Sequence, residues 1–298
     1  MKRSTRRGLM GLLRVLVAAG AVGALCGCAA SSSAQGVGSA SPVPAPSSSP
    51  TVVSRAAAED PPMKTIGIIG GISWVSSEQY YRFINEMVRD RFGPTYSAPI
   101  LMYSIPFGEF SKQERLAGKG DWKPLRATMV DAAQRLERGG ADFIIVASNT
   151  MNSTDDLIEA NVSIPVLNIV DAVGAAVQDR GIKTVALLGT KFTMEQPFYA
   201  GRLEGDYGLK VVTPNAAERT YINAVVFNQL CAGRFTDAAR DHFARIIERL
   251  VREEGAQGVI PGCTEIPLLV KQKDVSVPAF DTTLIHSAAA VRYSLGEK

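Results

Sequence analysis

GADFIIVASNT at residues 140–150 is an apolar run that ends in a polar turn, and GAQGVIPGCTE at residues 255–265 repeats its plan. An apolar run of this length, closed by small polar residues, is typical of a buried strand and the turn that follows it. Ser148 and Cys263 hold equivalent places in the two segments. The pair therefore predicts two lobes whose strand ends face each other, one presenting a hydroxyl and the other a thiol.

Further landmarks extend this repeat along the chain. KTVALLG at residues 183–189 matches KTIGIIG at residues 64–70 with an offset of 119 residues, and the two opening segments are offset by 115. Pro165 and Pro278, each before a short apolar run, are offset by 113 residues. An ordered set of matches at nearly constant spacing indicates an internal duplication.

Predicted strands and helices alternate along the first half of the chain. The strands are expected at 65–69, 98–104, 143–146 and 165–169, and the helices at 76–91, 125–138 and 154–160. Such alternation is typical of a parallel sheet with helices on both faces. We predict an α/β fold with two pseudo-symmetric Rossmann-like lobes. Lobe 1 spans 63–169 and is completed by 281–298, lobe 2 spans 170–280, and a ligand lies in the cleft between them at the carboxyl ends of the strands.

The first 62 residues have the composition of an export signal followed by a flexible tether. Residues 1–28 combine a basic start, an apolar run and the sequence LCGC, which resembles a bacterial lipoprotein signal in which Cys28 becomes the lipidated residue. An ordinary cleaved signal is the alternative. Residues 29–62 are rich in Ser, Ala, Pro and Gly, which predicts a disordered linker. We therefore expect an exported protein that is lipid-anchored to a bacterial membrane.

Charge and cysteine content narrow the partners of the mature chain. Removal of the signal would lower the Lys and Arg total from 32 to 27 against 29 Asp and Glu, which changes the formal charge from +3 to −2. No basic footprint for nucleic acid remains. Cys231 and Cys263 are the cysteines left beyond Cys28. They could pair in an exported protein, but the Gly-Cys-Thr setting of Cys263 favours a free thiol.

Four motifs resemble those of the aspartate/glutamate racemase family. They are Ile66–Trp74, Ser148–Met151, Gly189–Glu195 and Gly262–Ile266, and the similarity runs from Lys64 nearly to the end of the chain. The resemblance implies two Rossmann-like lobes, no pyridoxal phosphate or metal, and inversion of an α-carbon by one base from each lobe. The chain is most similar to the branch of bacterial L-aspartate/glutamate-specific racemases, in which the first-lobe cysteine is replaced. Its substrate would then be a small acidic amino acid.

The resemblance assigns the two proton-transfer positions to Cys263 and Ser148. A thiol has a pKa of about 8.5 and becomes a useful base when its surroundings favour the thiolate, so Cys263 is the stronger candidate. A hydroxyl needs a neighbour that takes its proton, and Ser148 could instead bind substrate or cap a helix. Asn152 departs from the family pattern, because many members have His at this position. This chain therefore lacks the imidazole that many family members place near the first-lobe base.

Other motif residues are candidates for holding the substrate. They are Gly71, Ile72, Asn149, Thr150, Met151, Thr190, Thr193, Thr264 and Glu265, with His286 as a candidate for an outer position. Hydroxyl and amide donors at the starts of helices suit a carboxylate, although turn and N-cap chemistry would explain each of them singly. Gly71 lets the backbone approach a ligand closely, but no dinucleotide fingerprint is present.

Substrate identity is less well specified than the type of reaction. Cys231 occupies the segment in which aspartate racemases commonly have a basic residue, and Lys112, Arg115 or Lys191 would have to supply the charge instead. Two other functions are compatible with the sequence. One is a decarboxylase or isomerase that acts on a small dicarboxylate with a single thiol, and the other is a tethered, non-catalytic amino-acid-binding protein. A homodimer is also compatible.

Overall fold

The computed structural model of the protein describes residues 62–297. The predicted signal, the predicted lipidation site Cys28 and all but the last residue of the predicted tether lie outside these residues. Within them, two parallel sheets form the centres of two lobes. Their strands are β1 (Ile66–Gly70), β2 (Ile100–Ser104), β3 (Phe143–Val146), β4 (Val166–Leu167), β5 (Thr184–Gly189), β6 (Lys210–Val212) and β7 (Gly258–Gly262). The first sheet has the order β2-β1-β3-β4 and the second β6-β5-β7.

The strand register repeats between the two sheets. Ile66 of β1 pairs with Phe143 of β3, and Val185 of β5 pairs with Gly258 of β7, which reproduces the offsets of 119 and 115 residues. The fourth position is reduced in the second sheet to a single parallel bridge between Val259 and Ala279. The internal duplication predicted from the sequence therefore extends to the hydrogen-bonding register, and the predicted α/β fold with parallel sheets is confirmed.

Helices cover both faces of each sheet. They are α1 (Trp74–Phe92), α2 (Phe107–Ala117), α3 (Lys123–Arg138), α4 (Asp155–Glu159), α5 (Ile169–Gln178), α6 (Lys191–Glu195), α7 (Pro197–Tyr207), α8 (Ala216–Asn228), α9 (Asp237–Glu254), α10 (Ile266–Leu269) and α11 (Thr282–Ser294). The central strands β1, β3 and β5 are almost fully buried and rich in Val, Ile and Leu, as expected for sheets packed on both sides, whereas β2 and β6 are partly exposed.

Two helices are exchanged between the lobes. Helix α5 follows the first sheet but packs on the second, where Ile169, Val173 and Val177 join a core cluster with Val185 of β5. Helix α11 follows the second sheet but packs on α1 of the first lobe. Each fully buried Ile or Val contributes about 1.5–3 kcal/mol, so these two helices bind the lobes together strongly.

The secondary structure differs from the sequence-based expectation in three places. Helix α2 was not predicted. The helix expected at 154–160 is present as the short α4, but a 3₁₀ turn that was not expected precedes it at Thr150–Thr154. The strand expected at 165–169 ends at Leu167, because the Asn168 side chain accepts a hydrogen bond from Val170 N and starts α5.

We also searched residues 62–297 for helices that could cross a membrane. None of the helices in this range is both long and apolar enough to do so.

Candidate active site

The carboxyl ends of four strands converge on a small chamber between the two sheets. Ile72 and Ser73 follow β1, Ser148 and Thr150 follow β3, Thr190 follows β5, and Cys263, Thr264 and Glu265 follow β7. The rest of the lining is Phe107, Glu114, Val226, Phe227 and Cys231. The inner chamber, as we name this space, has a volume of about 30 Å³. The duplication therefore brings the two equivalent turns, in residues 140–150 and 255–265, to one cavity.

A larger cavity adjoins the inner chamber and shares four lining residues with it. These are Glu114, Thr150, Thr190 and Phe227. This outer cavity has a volume of about 690 Å³, and its walls include Met151, Trp122 and Phe192 together with the cations Arg115 and Lys191. A ligand whose reacting centre occupied the inner chamber would extend its remaining atoms into this space.

Cys263 is held against a carboxylate. Its Sγ donates to Glu265 Oε2 over 3.0 Å, which is a close approach for a thiol donor, and the side chain is buried. Burial, followed by the negative charge of Glu265, raises the pKa of the Cys263 thiol well above its usual range. The resting thiol is therefore protonated, and Glu265 is the group positioned to take its proton.

Glu265 also joins the two lobes. Its Oε1 accepts a hydrogen bond of 2.7 Å from Ser73 Oγ, which lies just after β1 in the first lobe. Its Oε2 accepts a second hydrogen bond, from Thr264 Oγ1 over 3.1 Å, besides the one from Cys263. Both oxygens of this buried carboxylate are thus engaged by protein donors, as a charged group in such surroundings requires.

A glycine fixes the segment that carries Ser73. Gly71 has φ of +87°, and a Cβ on it would lie 2.2 Å from Ile105 O. Its backbone N–H donates to Ser77 Oγ over 2.8 Å. Only glycine adopts this conformation in so little space. The loop that follows β1 therefore packs directly against the backbone that follows β2.

Ser148 has no comparable chemical partner. Its Oγ accepts a long hydrogen bond of 3.4 Å from Met151 N, and no carboxylate, imidazole or amine of the described residues is bonded to it. Asn152, at the position of the missing imidazole, has a structural role. Its amide donates to Ser148 O and Val146 O, and its Oδ1 accepts from Ile169 N. The first-lobe hydroxyl is therefore held in place but is not activated by a base.

Three threonine hydroxyls form a triangle across the cleft. The Oγ1 atoms of Thr150, Thr190 and Thr193 are separated pairwise by 3.1 Å. Thr190 also accepts from Thr193 N and thereby caps α6. Thr150 and Thr190 line the inner chamber and Thr193 supports them from behind. The arrangement places two adjustable hydroxyls, one from each lobe, where a substrate carboxylate could accept from both.

The other predicted site residues lie away from the inner chamber. Asn149 is turned toward Tyr199 and Thr282, and it makes one hydrogen bond with the side chain of each. Met151 lines only the outer cavity, and Gly71 acts through the backbone of the loop that follows it. The amide of Asn149 thus supports the cleft and does not line it.

His286 is enclosed between α1 and the end of β4. Its Nδ1 lies 2.9 Å from Tyr80 OH and its Nε2 lies 2.8 Å from Leu167 O. Complete burial lowers the pKa of the imidazole to about 4, so the ring is neutral near pH 7. Its hydrogen bonds are to residues outside the inner-chamber lining, and its role is to hold α11 against the first lobe.

Several lining residues escaped the sequence analysis. Glu114 is the most consequential, because burial and then the nearby charge of Glu265 raise the pKa of its carboxyl to about 7. A signal was present in the spacing of Phe107, Phe110, Glu114 and Ala117, which gives a carboxylate a position on the apolar face of an amphipathic helix. Cys231, considered earlier as a disulfide partner of Cys263 and as the place of a missing cation, is a second free thiol in the lining.

The duplicated lobes, with a thiol and a hydroxyl at equivalent strand ends, match the architecture of the two-lobed amino-acid racemases, which are cofactor-independent isomerases. Comparison with known proteins gives the family. The chain belongs to the Asp/Glu/hydantoin racemase family, whose model matches residues 69–290.

Individual relatives agree with this assignment. A Yersinia pestis protein provisionally described as an Asp/Glu racemase is 44% identical with a TM-score of 0.71, covering 78% of this chain and 100% of its own. An aspartate racemase homologue from Pyrococcus horikoshii, PH1733, is 38% identical with a TM-score of 0.67, covering 78% and 99% of the two chains. The broad specificity amino-acid racemase RacX of Bacillus subtilis is 22% identical over 223 residues, or 73% of this chain and 92% of RacX.

Proposed function

We propose that the protein racemises a small acidic amino acid by proton transfer at the two faces of the α-carbon. The observation that carries this proposal is that Cys263 and Ser148, from equivalent strand ends of the two lobes, line the same inner chamber. A base on one face and an acid on the other are what inversion of an α-carbon requires.

The first half of the reaction uses the thiol and its carboxylate. Glu265 takes the proton of Cys263 across the 3.0 Å hydrogen bond, and the resulting thiolate removes the hydrogen from the substrate's α-carbon. The hydroxyls of Thr150 and Thr190 donate to the substrate carboxylate, which carries increasing negative charge in the transition state. The proton then resides on sulfur and the pair of electrons on the carbon.

The second half uses Ser148. Its hydroxyl donates a proton to the opposite face of the α-carbon, and the resulting alkoxide recovers a proton through water while Glu265 releases to water the proton it took from Cys263. A hydroxyl is a much weaker acid than a thiol, and Ser148 lacks a basic partner among the described residues, so this half is the slower one. The Ser148 step therefore limits the rate in both directions: it comes second when Cys263 removes the α-proton and first when Ser148 removes it.

The charges of the outer cavity support an acidic side chain on the substrate. No Lys or Arg of residues 62–297 lines the inner chamber, whereas Arg115 and Lys191 both line the outer cavity. A side-chain carboxylate that extended outward from the inner chamber would meet these two cations, one from each lobe. Lys112, the third cation considered, is exposed and paired with Glu109.

The experiment is α-proton exchange in heavy water. L- and D-aspartate and L- and D-glutamate are incubated with the protein, and loss of the α-proton is followed by NMR beside a chiral assay for inversion. L-Asparagine serves as the uncharged comparison. The expected result is exchange with inversion for an acidic amino acid and at least about tenfold weaker turnover of asparagine, which corresponds to loss of one charge-assisted contact.

Two variants separate the roles of the two side chains. Cys263→Ala and Ser148→Ala should each abolish inversion, while each retains exchange only for the enantiomer whose α-proton faces the remaining group. Ser148→Ala that racemises as fast as the natural protein would remove Ser148 from the mechanism. Binding of the amino acid with no exchange at all would leave a non-catalytic binding protein, and release of CO₂ would leave the decarboxylase.

Two aspects of the biological setting complete the proposal. We propose that the chain is exported and lipid-anchored through Cys28, on the strength of its basic, apolar and LCGC-containing first 28 residues. We also propose a homodimer as its assembly. Metabolic labelling with a fatty-acid probe, compared between the natural chain and Cys28→Ala, tests the anchor, and sedimentation tests the assembly.

A further inference from the structure

The inner chamber contains two carboxylates in different states. Glu265 accepts hydrogen bonds on both oxygens, from Ser73, Cys263 and Thr264. Glu114 accepts none from any described side chain or backbone N–H, and its Oε2 is buried and without a partner. A buried carboxylate oxygen without a hydrogen-bond donor destabilises the folded protein, so we expect a ligand to donate a hydrogen bond to this oxygen.

The position of Glu114 directs this oxygen into the site. On α2 it follows the buried Phe110 by four residues and precedes the buried Ala117 by three, which is the spacing of one helix face. It lines both the inner chamber and the outer cavity, so it lies where the two spaces join. A ligand that occupied both spaces would pass this carboxylate.

We propose that Glu114 binds the α-ammonium group of the substrate. This inference rests on the proposed function for the identity of the reacting centre, since the ammonium is attached to the same carbon that Cys263 deprotonates. The ammonium group supplies three donors and a positive charge, which is what a carboxylate with an open oxygen lacks. Glu114 is then a binding residue that orients the α-carbon, and the saturated Glu265 remains free to exchange a proton with the thiol.

The charges around Glu114 fit an ammonium better than an anion. Glu265, from the turn after β7, faces it with a negative charge, and Cys231 contributes a thiol whose pKa is raised by burial and by these two carboxylates. Among the residues that the structure describes, Arg115 is the one cation that lowers the pKa of Glu114, and it is exposed and forms no ion pair with this carboxylate. Binding of an ammonium group would offset the repulsion between the two carboxylates and favour the ionised form of Glu114.

The test compares ligands that differ only at the α-substituent. Dissociation constants are measured by calorimetry for two pairs, L-aspartate with L-malate and L-alanine with L-lactate, in which a hydroxyl replaces the ammonium. The natural protein should prefer the ammonium-bearing member of a pair by about tenfold or more, as expected for a charge-assisted hydrogen bond. Glu114→Gln, which keeps the shape of the side chain, should reduce that preference to about threefold or less.

Two further variants complete the design. Glu114→Asp keeps the charge but withdraws it by one methylene, and its preference should lie between those of the natural protein and Glu114→Gln. Glu109→Gln removes a carboxylate from the same helix that is exposed and paired with Lys112, and it should leave the preference unchanged. Thermal unfolding of each variant checks that the fold is retained.

The outcomes distinguish this inference from the proposed function. An unchanged preference in Glu114→Gln overturns the inference, and so does the failure of both pairs to bind. Exchange and inversion with an unaltered KM in that variant would overturn the inference while the racemase function stands. Lost preference in Glu114→Gln, together with no α-proton exchange by the natural protein, would support the ammonium site and overturn the racemase.

Discussion

Substitution of Gly71 by alanine tests how the active-site loop is held. A Cβ at this position would lie 2.2 Å from Ile105 O and 2.5 Å from Ile105 N. Ile105 cannot easily retreat, because its N–H donates to Gly70 O over 3.0 Å. Gly140 provides a matched control, since its φ of +95° is close to the +87° of Gly71 but a Cβ on it would meet nothing within 4 Å.

The magnitudes follow from this comparison. Gly140→Ala should lower the free energy of unfolding by about 1–2 kcal/mol, the cost of a left-handed conformation for a residue with a Cβ. Gly71→Ala adds the overlap with backbone, worth about 1–3 kcal/mol more by analogy with overpacked cores. Relief of the overlap would also displace Ser73 from Glu265, so activity should fall in Gly71→Ala and persist in Gly140→Ala.

Urea unfolding measures the stability difference, and turnover under folded conditions measures the effect on the site. Equal destabilisation of the two variants would refute the idea that contact with Ile105 fixes the loop. Full activity of a folded Gly71→Ala protein would refute the link from that loop to Glu265.

Two substitutions test opposite limbs of the stability profile against pH. The pKa of Glu114 is raised from 4.5 to about 7 in the folded protein, so the natural chain loses stability as the pH rises from 4.5 to 7. The variant Glu114→Gln does not titrate here. Its free energy of unfolding should therefore exceed that of the natural chain by about 3 kcal/mol above pH 7, with little difference at pH 4. The pKa of His286 is lowered from 6.5 to about 4, so stability falls as the pH drops through that window, and His286→Gln should remove about 3 kcal/mol of this acid dependence. Denaturant titrations at pH 4, 5.5 and 8 measure both effects, and parallel profiles for natural and variant chains would contradict the respective assignment.

The duplicated architecture could be predicted because it depends on patterns that repeat in the sequence itself. Equivalent apolar strands, offsets near 115 residues and paired polar turns all follow from the two lobes. The same pattern placed Cys263, Ser148, Thr150 and Thr190 together, since residues that follow neighbouring parallel strands meet at one sheet edge.

The rest of the site depends on contacts between segments that no local pattern relates. Glu114 lies on α2, a helix that follows Pro106, contains Gly108 and carries many charges, and these features masked the spacing of its apolar face. Asn149 follows a strand like the other candidates, but Tyr199 and Thr282 from distant helices turn its amide away. Contacts with residues distant in the sequence decide which side chain of a turn reaches the ligand. A single sequence does not reveal these contacts.

The exchange of α5 and α11 between the lobes bears on how the duplicated chain arose. A single ancestral half would carry its final helix without a sheet of its own to cover, because that helix packs on the other half. Such a half could bury the apolar face of its final helix only by packing it on a second copy, in a two-fold dimer with swapped helices. Fusion of the two genes would preserve this helix exchange, after which each half could diverge separately. In such a history, the thiol of Cys263 and the hydroxyl of Ser148 would descend from one ancestral position.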